Sequence, residues 1–206
     1  MGRGIAAAFA VVLSGACAGC EGWTGFGFRA NSREMAQLRQ VLTLETGKVV
    51  ADVGAGKGEL TFALAKEVGS KGHVFSTEID PGRLRRLREA VLAGKLDNVT
   101  LLEGYGSETG LPPNCCDAIV LRRVYHHLTD PAGINASLLR ALRPGGVLAV
   151  IDFPPPFFLS RGQSGVPAKD VIGEVKSSGF ELLRLIDDWP GRGPLEAYCA
   201  LFRKPA

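Results

Sequence analysis

An acidic residue followed by three alternating glycines is the stretch of this chain best suited to binding a ligand. The run reads Val49-Val50-Ala51-Asp52-Val53-Gly54-Ala55-Gly56-Lys57-Gly58-Glu59, and a helical pattern starts directly after it. Glycine lets the backbone turn sharply and approach a ligand closely, and the free N–H groups at a helix amino terminus attract a negative group. A strand, a glycine-rich loop and a helix in this order predict the first part of a nucleotide-binding βαβ unit.

The residues around the glycines indicate which nucleotide is bound. In the dinucleotide fingerprint G-x-G-x-x-G, the third small residue would stand at Glu59, which is too large and too charged for that role. The carboxylate of Asp52 would also repel a pyrophosphate in a site that holds little water. It suits a ligand with a cationic end, such as the amino group or the sulfonium of S-adenosylmethionine. The loop therefore favours S-adenosylmethionine, with a nicotinamide-dependent oxidoreductase as an alternative.

A second acidic residue, Glu78, stands at the carboxyl end of the next predicted strand and precedes Ile79 and Asp80. A carboxylate at this point can accept hydrogen bonds from both ribose hydroxyls of a bound nucleoside. The alternative is a surface acid without a ligand. We expect Glu78 to bind the ribose, and we expect Asp80, which precedes Pro81, mainly to cap the following helix.

The candidates for proton transfer are Tyr125, His126 and His127, which follow the fourth predicted strand. Active-site groups of open α/β sheets come from loops at the carboxyl ends of strands, and histidine is a natural proton acceptor near neutral pH. Alternatively, one histidine caps the next helix and the other packs against the core. The sequence does not choose between the two histidines. Because no carboxylate or cysteine partner lies nearby in sequence, we expect no metal site.

Two other features have more than one interpretation. Arg123 is predicted to be buried, and a buried arginine needs a partner such as Asp52, Asp152 or an anionic substrate. The adjacent Cys115 and Cys116 could bind a thiophilic species, although a loop before a strand explains them as well.

Three runs together resemble the class I S-adenosylmethionine-dependent methyltransferases: residues 50–59, residues 78–80, and Leu142-Arg143-Pro144-Gly145-Gly146. The similarity is to the small-molecule branch that includes quinone-biosynthesis C-methyltransferases and arsenite methyltransferases, and it covers residues 35–203. It implies methyl transfer from S-adenosylmethionine to a small-molecule acceptor. The residues that would hold the donor are Asp52, Gly54, Ala55, Gly56, Gly58, Glu78, Ile79, Gly104 and Tyr105.

The resemblance also implies that the Tyr-His-His turn faces the methyl donor and the acceptor. The acceptor pocket would then be built from this turn, the segment before Ser32 and the stretch Pro154 to Leu159. The chain departs from the family pattern at Tyr105, where family members often have an acidic residue that contacts adenine. Tyr105 and Arg123 therefore leave a non-catalytic S-adenosylmethionine-binding protein as a second alternative.

Alternating strand and helix patterns position these residues and predict an α/β fold, a doubly wound, mostly parallel seven-stranded sheet in a single domain at residues 21–206. Five strands follow βαβ order, and two more close one edge as a reversed hairpin. The predicted strands are Val49–Val53, His73–Asp80, Asn98–Gly104, Asp117–Val124, Val147–Phe153, Phe180–Ile186 and Ala197–Phe202. The predicted helices besides the one after the glycine loop are Ser32–Leu42, Arg83–Ala93, Ala136–Leu142 and Pro167–Ser178.

Composition is consistent with this single domain. The 206 residues are 46% hydrophobic and 22% charged, which is enough apolar content for a substantial core. The formal net charge is only +3, and no basic run is interleaved with aromatic residues. We therefore expect no nucleic-acid partner.

Residues 1–20 have the composition of a signal peptide or lipoprotein-like leader. Arg3 precedes an apolar run from Ile5 to Leu13, and small residues with Cys17 and Cys20 follow. The apolar run is too short to span a bilayer as a stable helix. Cleavage or lipidation here would export the protein or attach it to a membrane, and otherwise it would be cytoplasmic. A redox or metal pair at the two cysteines is the alternative.

Overall fold

The computed structural model describes residues 32–155, 165–190 and 197–206. The predicted leader, the aromatic segment that follows it, and the stretch after Pro155 lie outside the described residues. Among the helices that are described, none is long and apolar enough to cross a bilayer.

Helices and strands alternate through most of the described chain. The strands are β1 (Val49–Val53), β2 (His73–Glu78), β3 (Val99–Glu103), β4 (Cys116–Arg122), β5 (Leu142–Asp152), β6 (Glu181–Trp189) and β7 (Ala197–Arg203). The α-helices are α1 (Ser32–Val41), α2 (Glu59–Val68), α3 (Pro81–Ala93), α4 (Pro131–Ala141) and α5 (Ala168–Ser177), and a 3₁₀ turn spans Tyr125–His127.

The strands form one seven-stranded sheet in the order β3-β2-β1-β4-β5-β7-β6. Strands β1 to β5 run parallel, and β7 lies antiparallel between β5 and β6. The predicted parallel sheet with a reversed closing pair is therefore confirmed. The chain moves outward from β1 to β3 and then returns to the other side of β1 at β4. In such sheets, ligands bind at the carboxyl ends of the strands where this reversal occurs.

Alternate residues of the strands pack into cores on the two faces of the sheet. In β4, Ile119 and Leu121 belong to one core, whereas Ala118 and Val120 belong to the other, which also contains Leu38 of α1. Because both faces are covered, the central strands are almost completely buried. This rigid centre holds the loops at its carboxyl edge in place.

Two elements, α4 and β5, begin five residues before their predicted starts at Ala136 and Val147. Helix α4 begins at Pro131, because the carboxylate of Asp130 caps it by accepting a hydrogen bond from the amide of Gly133 at 3.0 Å. Neither histidine is the cap of this helix. Strand β5 begins at Leu142 and contains an irregularity opposite Cys116 and Ala118, where the register with β4 shifts. The run Arg143-Pro144-Gly145-Gly146 lies at this irregularity, between the paired residues Leu142 and Val147.

Candidate donor and acceptor site

The glycine loop is tied to the end of β2 and leaves open space in front of Gly56. The amides of Gly54 and Ala55 both donate to the carbonyl of Thr77 at 2.9 Å. Gly56 has a φ of +57°, and a β-carbon built on it would meet no atom within 4 Å. In contrast, a β-carbon on Gly58 would collide with Leu87 and Phe62. The backbone at Gly56 is therefore accessible to a ligand, whereas Gly58 serves close packing.

The buried carboxylate of Glu78 joins the glycine loop to the end of β2. Its Oε2 accepts a hydrogen bond from the amide of Gly56 at 2.8 Å, and its Oε1 accepts one from the amide of Asp80 at 3.0 Å. Each carboxylate oxygen can accept a further hydrogen bond. Asp80 in turn caps α3, since its Oδ1 accepts from the amide of Arg83 at 2.6 Å. The prediction that Asp80 caps this helix is confirmed.

Asp52 lies below the loop and is almost fully buried. Its Oδ2 accepts a hydrogen bond from the Thr61 hydroxyl at 2.7 Å, and that hydroxyl lies 2.9 Å from the hydroxyl of Ser76. Burial raises the pKa of Asp52 above its usual range, although the Thr61 hydrogen bond and the charge of Arg122 oppose this shift. Burying the charged form of this carboxyl group at the end of β1 therefore costs folding free energy.

A cleft of about 200 Å³ opens in front of these groups. It is lined by Asp52, Gly54, Ala55, Gly56, Lys57, Glu59, Leu60 and Arg122. A larger groove of about 360 Å³ lies at the start of β2 and β3, but none of the predicted site residues lines it. Four of the nine predicted donor residues, Asp52, Gly54, Ala55 and Gly56, therefore line the smaller cleft.

Ile79 and Tyr105 are large apolar side chains that remain exposed beside this site. Ile79 is 59% exposed and Tyr105 is 57% exposed, and they follow the neighbouring strands β2 and β3. The buried Gly104, which precedes Tyr105, donates its amide hydrogen to the carbonyl of Glu78 at 3.2 Å. Exposed apolar side chains at a sheet edge offer a surface on which a planar ring can stack.

The structure distinguishes the two histidines. Nδ1 of His126 lies 2.8 Å from Oδ1 of the fully buried Asp152, and the His126 amide donates to Oδ2 of Asp152 at 3.2 Å. Nε2 of His126 is buried and has no hydrogen-bond partner among the described residues. The ring of the exposed His127 lies at a centroid distance of 3.9 Å from the His126 ring and is tilted by 45° against it. Partial desolvation, together with the nearby His126, lowers the pKa of His127.

Tyr125 is placed differently from the two histidines. Its buried hydroxyl donates to Oε2 of Glu174 at 2.9 Å and accepts from Nδ2 of Asn135 at 2.8 Å, so it lies between α4 and α5. Burial raises the pKa of this hydroxyl. These contacts tie the Tyr125 hydroxyl to the packing between α4 and α5, and a catalytic role for Tyr125 stays a prediction.

The arginine at the site is Arg122 and not Arg123. Arg123 is exposed, which contradicts the prediction that it is buried. Arg122 lines the cleft, and its guanidinium lies 3.1 Å from the carboxylate of Glu34 and 3.6 Å from that of Glu59. The alternation of side chains along β4 could have identified Arg122. Ala118, Val120 and Arg122 are alternate residues and lie on the same side of the strand, and the first two face the core beside α1.

The adjacent cysteines lie away from this site. Cys115 and Cys116 are at the amino end of β4, and their Sγ atoms are 2.6 Å apart. Within the described ranges, no group of three or more histidine, cysteine or acidic residues could hold a metal ion.

A model of a family described as "Methyltransferase domain" matches residues 44–180 of the chain. A demethylmenaquinone methyltransferase of Listeria monocytogenes is 28% identical over 129 residues, which are 63% of this chain and 54% of the relative. The ubiquinone/menaquinone biosynthesis C-methyltransferase UbiE of Vibrio cholerae is 32% identical over 111 residues, 53% of this chain and 43% of the relative. The chain thus spans about half the length of these curated relatives.

Comparison of structures gives the same fold. The crystal structure of a SAM dependent methyltransferase from Aquifex aeolicus superposes with a TM-score of 0.72 and 23% identity, covering 82% of this chain and 89% of the other. The family match covers more than half of the chain and contradicts the nicotinamide-dependent alternative. The chain belongs to the methyltransferase domain family.

Proposed function

We propose that this protein transfers a methyl group from S-adenosylmethionine to a small-molecule acceptor. The observation that carries the proposal is the hydrogen bond from the Gly56 amide to the Glu78 carboxylate. This hydrogen bond holds Glu78, the predicted ribose-binding residue, against the glycine loop, at the edge of the cleft that Asp52 lines. The names of the curated relatives support a quinone precursor as one class of acceptor to test first.

The residues present fit the donor. The open space at Gly56 admits the nucleoside, and Glu78 has oxygen lone pairs for the ribose hydroxyls. Ile79 and Tyr105 offer apolar surface to the adenine ring, and Asp52 favours the cationic part of the ligand. When bound, S-adenosylmethionine supplies an electrophilic methyl group on its sulfonium sulfur. The residues of the chain then have to hold the acceptor in line with that group and exclude water.

His126 is the proposed proton acceptor of the reaction. When Nδ1–H donates to Asp152, the lone pair of the neutral imidazole is on Nε2, the buried atom without a partner among the described residues. Nε2 can take a proton from an acceptor group as it becomes methylated. Asp152 is a positioning residue, because it selects this tautomer and fixes the ring. His127 lacks such a partner carboxylate in the described contacts and is the less suitable candidate.

Calorimetric titration of S-adenosylmethionine and S-adenosylhomocysteine into the protein and its Glu78→Ala variant tests the donor site. We expect micromolar affinity that falls by about 100-fold in the variant, since charge-assisted hydrogen bonds are lost. Glu103→Ala is the matched control, because Glu103 pairs with Glu78 across the sheet but is exposed. Failure of the folded wild-type protein to bind either ligand would overturn the proposal.

A methyl-transfer assay with quinone precursors and other small acceptors tests the chemistry. We expect His126→Ala to lose about 10²- to 10⁴-fold in kcat at unchanged donor affinity, with a much smaller loss for His127→Ala. Equal losses in the two variants would contradict the assignment of the proton acceptor to His126. Donor binding without turnover on any acceptor would favour the non-catalytic binding protein instead.

The leader at residues 1–20 remains part of the proposal, with residues 21–206 as the methyltransferase domain. Its composition supports processing or lipidation at Cys17 or Cys20, which would attach the protein to a membrane. Mass spectrometry of the amino-terminal peptide of the protein from its native host tests this proposal. A mature protein that still begins at Met1 would contradict cleavage.

A further inference from the structure

A long ion pair lies in the wall of the cleft. Arg122 and Glu59 both line it, with a distance of 3.6 Å between Nη2 of Arg122 and Oε2 of Glu59. This distance is longer than a good hydrogen bond, so the two groups attract each other without being locked together. Their side chains are 22% and 29% exposed, respectively, which leaves both within reach of a ligand.

The guanidinium of Arg122 is held in place from behind. Its Nη1 donates to Oε2 of Glu34 at 3.1 Å, and the Glu34 side chain is only 4% exposed. Oε1 of Glu34 lies 3.4 Å from Nε1 of Trp189, so α1 and β6 both fix this carboxylate. An arginine has five N–H donors, and these contacts leave donors on the guanidinium for the cleft. Arg122 is therefore a fixed cation and not a flexible surface side chain.

Opposite charges at this spacing match an α-amino acid. We propose that Arg122 and Glu59 form the receptor for the zwitterionic methionine end of the donor, with Arg122 binding the α-carboxylate and Glu59 binding the α-ammonium. The amino-acid end replaces one long ion pair by two charge-assisted contacts, and this end by itself adds no net charge to the cleft. The planar fork of arginine suits a carboxylate better than the lysine ammonium does, so the exposed Lys57 contributes less.

This inference rests on the proposed function, and ligands that lack one charged group test it separately. The probes are S-adenosylhomocysteine, its decarboxylated analogue, and its analogue without the α-amino group, titrated calorimetrically into the purified protein. We expect the wild-type protein to bind the decarboxylated analogue about 10- to 100-fold more weakly than S-adenosylhomocysteine. Arg122→Gln should weaken S-adenosylhomocysteine by a similar factor and leave the affinity for the decarboxylated analogue unchanged. Glu59→Gln should likewise weaken the binding of S-adenosylhomocysteine by a similar factor, and it should leave the affinity for the analogue without the α-amino group unchanged.

Arg123→Gln is the matched control, since it removes the neighbouring exposed arginine outside the cleft lining, and it should leave all affinities unchanged. Because Arg122→Gln leaves the buried Glu34 without its cation, the double variant Glu34→Gln/Arg122→Gln repeats the titration in a neutral background. If Arg122→Gln weakens the binding of S-adenosylhomocysteine and of its decarboxylated analogue by the same factor, the inference is overturned, and Arg122 is then an anchor for α1. If the wild-type protein binds neither ligand, the proposed function itself fails.

Discussion

Gly54 and Val124 are in direct contact, and a β-carbon built on Gly54 would lie 2.5 Å from Cγ2 of Val124. This contact packs the glycine loop against the chain segment that enters the Tyr125–His127 turn. The proposed donor site and the proposed proton acceptor are thus built on adjacent, mutually supporting loops. A change at Gly54 is therefore expected to affect both.

We predict different consequences for alanine at Gly54 and at Gly56. Gly54→Ala should destabilise the protein by about 2–3 kcal/mol, because the φ of +75° disfavours alanine and Val124 must move. Gly56→Ala meets no neighbour, so it should cost only about 1 kcal/mol for its positive φ while weakening donor binding. Urea unfolding and calorimetric titration measure the two effects. Equal losses of stability in both variants would contradict the close packing at Gly54.

Asp152→Asn tests how His126 is positioned. The amide can still accept a hydrogen bond but carries no charge to favour the reactive tautomer, so kcat should fall by about 100-fold or more. The dissociation constant of S-adenosylhomocysteine should change little, because Asp152 is outside the cleft lining. Steady-state kinetics and calorimetry separate these quantities. Asp188→Asn, at an exposed position of β6, is the control, and a variant that loses donor affinity as much as turnover would argue for a general structural role.

Asp52→Asn should make the protein more stable in a pH-dependent way. Burial raises the pKa of Asp52 in the folded protein above the value of about 3.9 in an unfolded chain. The folded state then binds this proton more tightly, so stability is lost as the pH rises from the unfolded pKa through the folded one. Asparagine avoids this loss and still accepts the Thr61 hydrogen bond. Its advantage in Tm should grow above about pH 4 and reach roughly 2–4 °C, equivalent to on the order of 1 kcal/mol.

Thermal unfolding from acidic to neutral pH measures this advantage, with the exposed Asp97→Asn as the control. The same variant should bind the donor more weakly, since functional groups are often kept at a cost in stability. A difference in Tm that is constant with pH, or that shrinks as the pH rises, would show that the buried carboxyl group carries no such penalty.

Cys115 should be the reactive cysteine of the folded domain. The hydrogen bond with Cys116 lowers the pKa of the half-buried Cys115 thiol, whereas Cys116 and Cys199 are fully buried and their pKa values are raised. Since the thiolate is the nucleophile, iodoacetamide should modify Cys115 at least about tenfold faster than either of the other two. Peptide mass mapping over time measures these rates. Modification of Cys199 as fast as Cys115 in the native protein would contradict the described burial.

Much of the fold could be predicted because its signals are local. The apolar run before the glycines predicts β1, and the Asp80-Pro81 pair predicts the cap of α3, because both depend on residues adjacent in the chain. The sequence also indicates the family through the glycine loop and Glu78. The helix boundary at Asp130 was missed, although its capping signal is equally local.

The roles within the candidate site depend on the tertiary structure. His126 and His127 are equivalent in sequence, and they differ only because β4 and β5 pair and bring Asp152, 26 residues away, to His126. In the same way, the hydroxyl of Tyr125 has its hydrogen-bond partners on α4 and α5. The sequence alone determines which elements form and which motifs follow each strand. Long-range pairing decides which side chain receives a partner, because hydrogen bonds and burial depend on distances in space and not on separation along the chain.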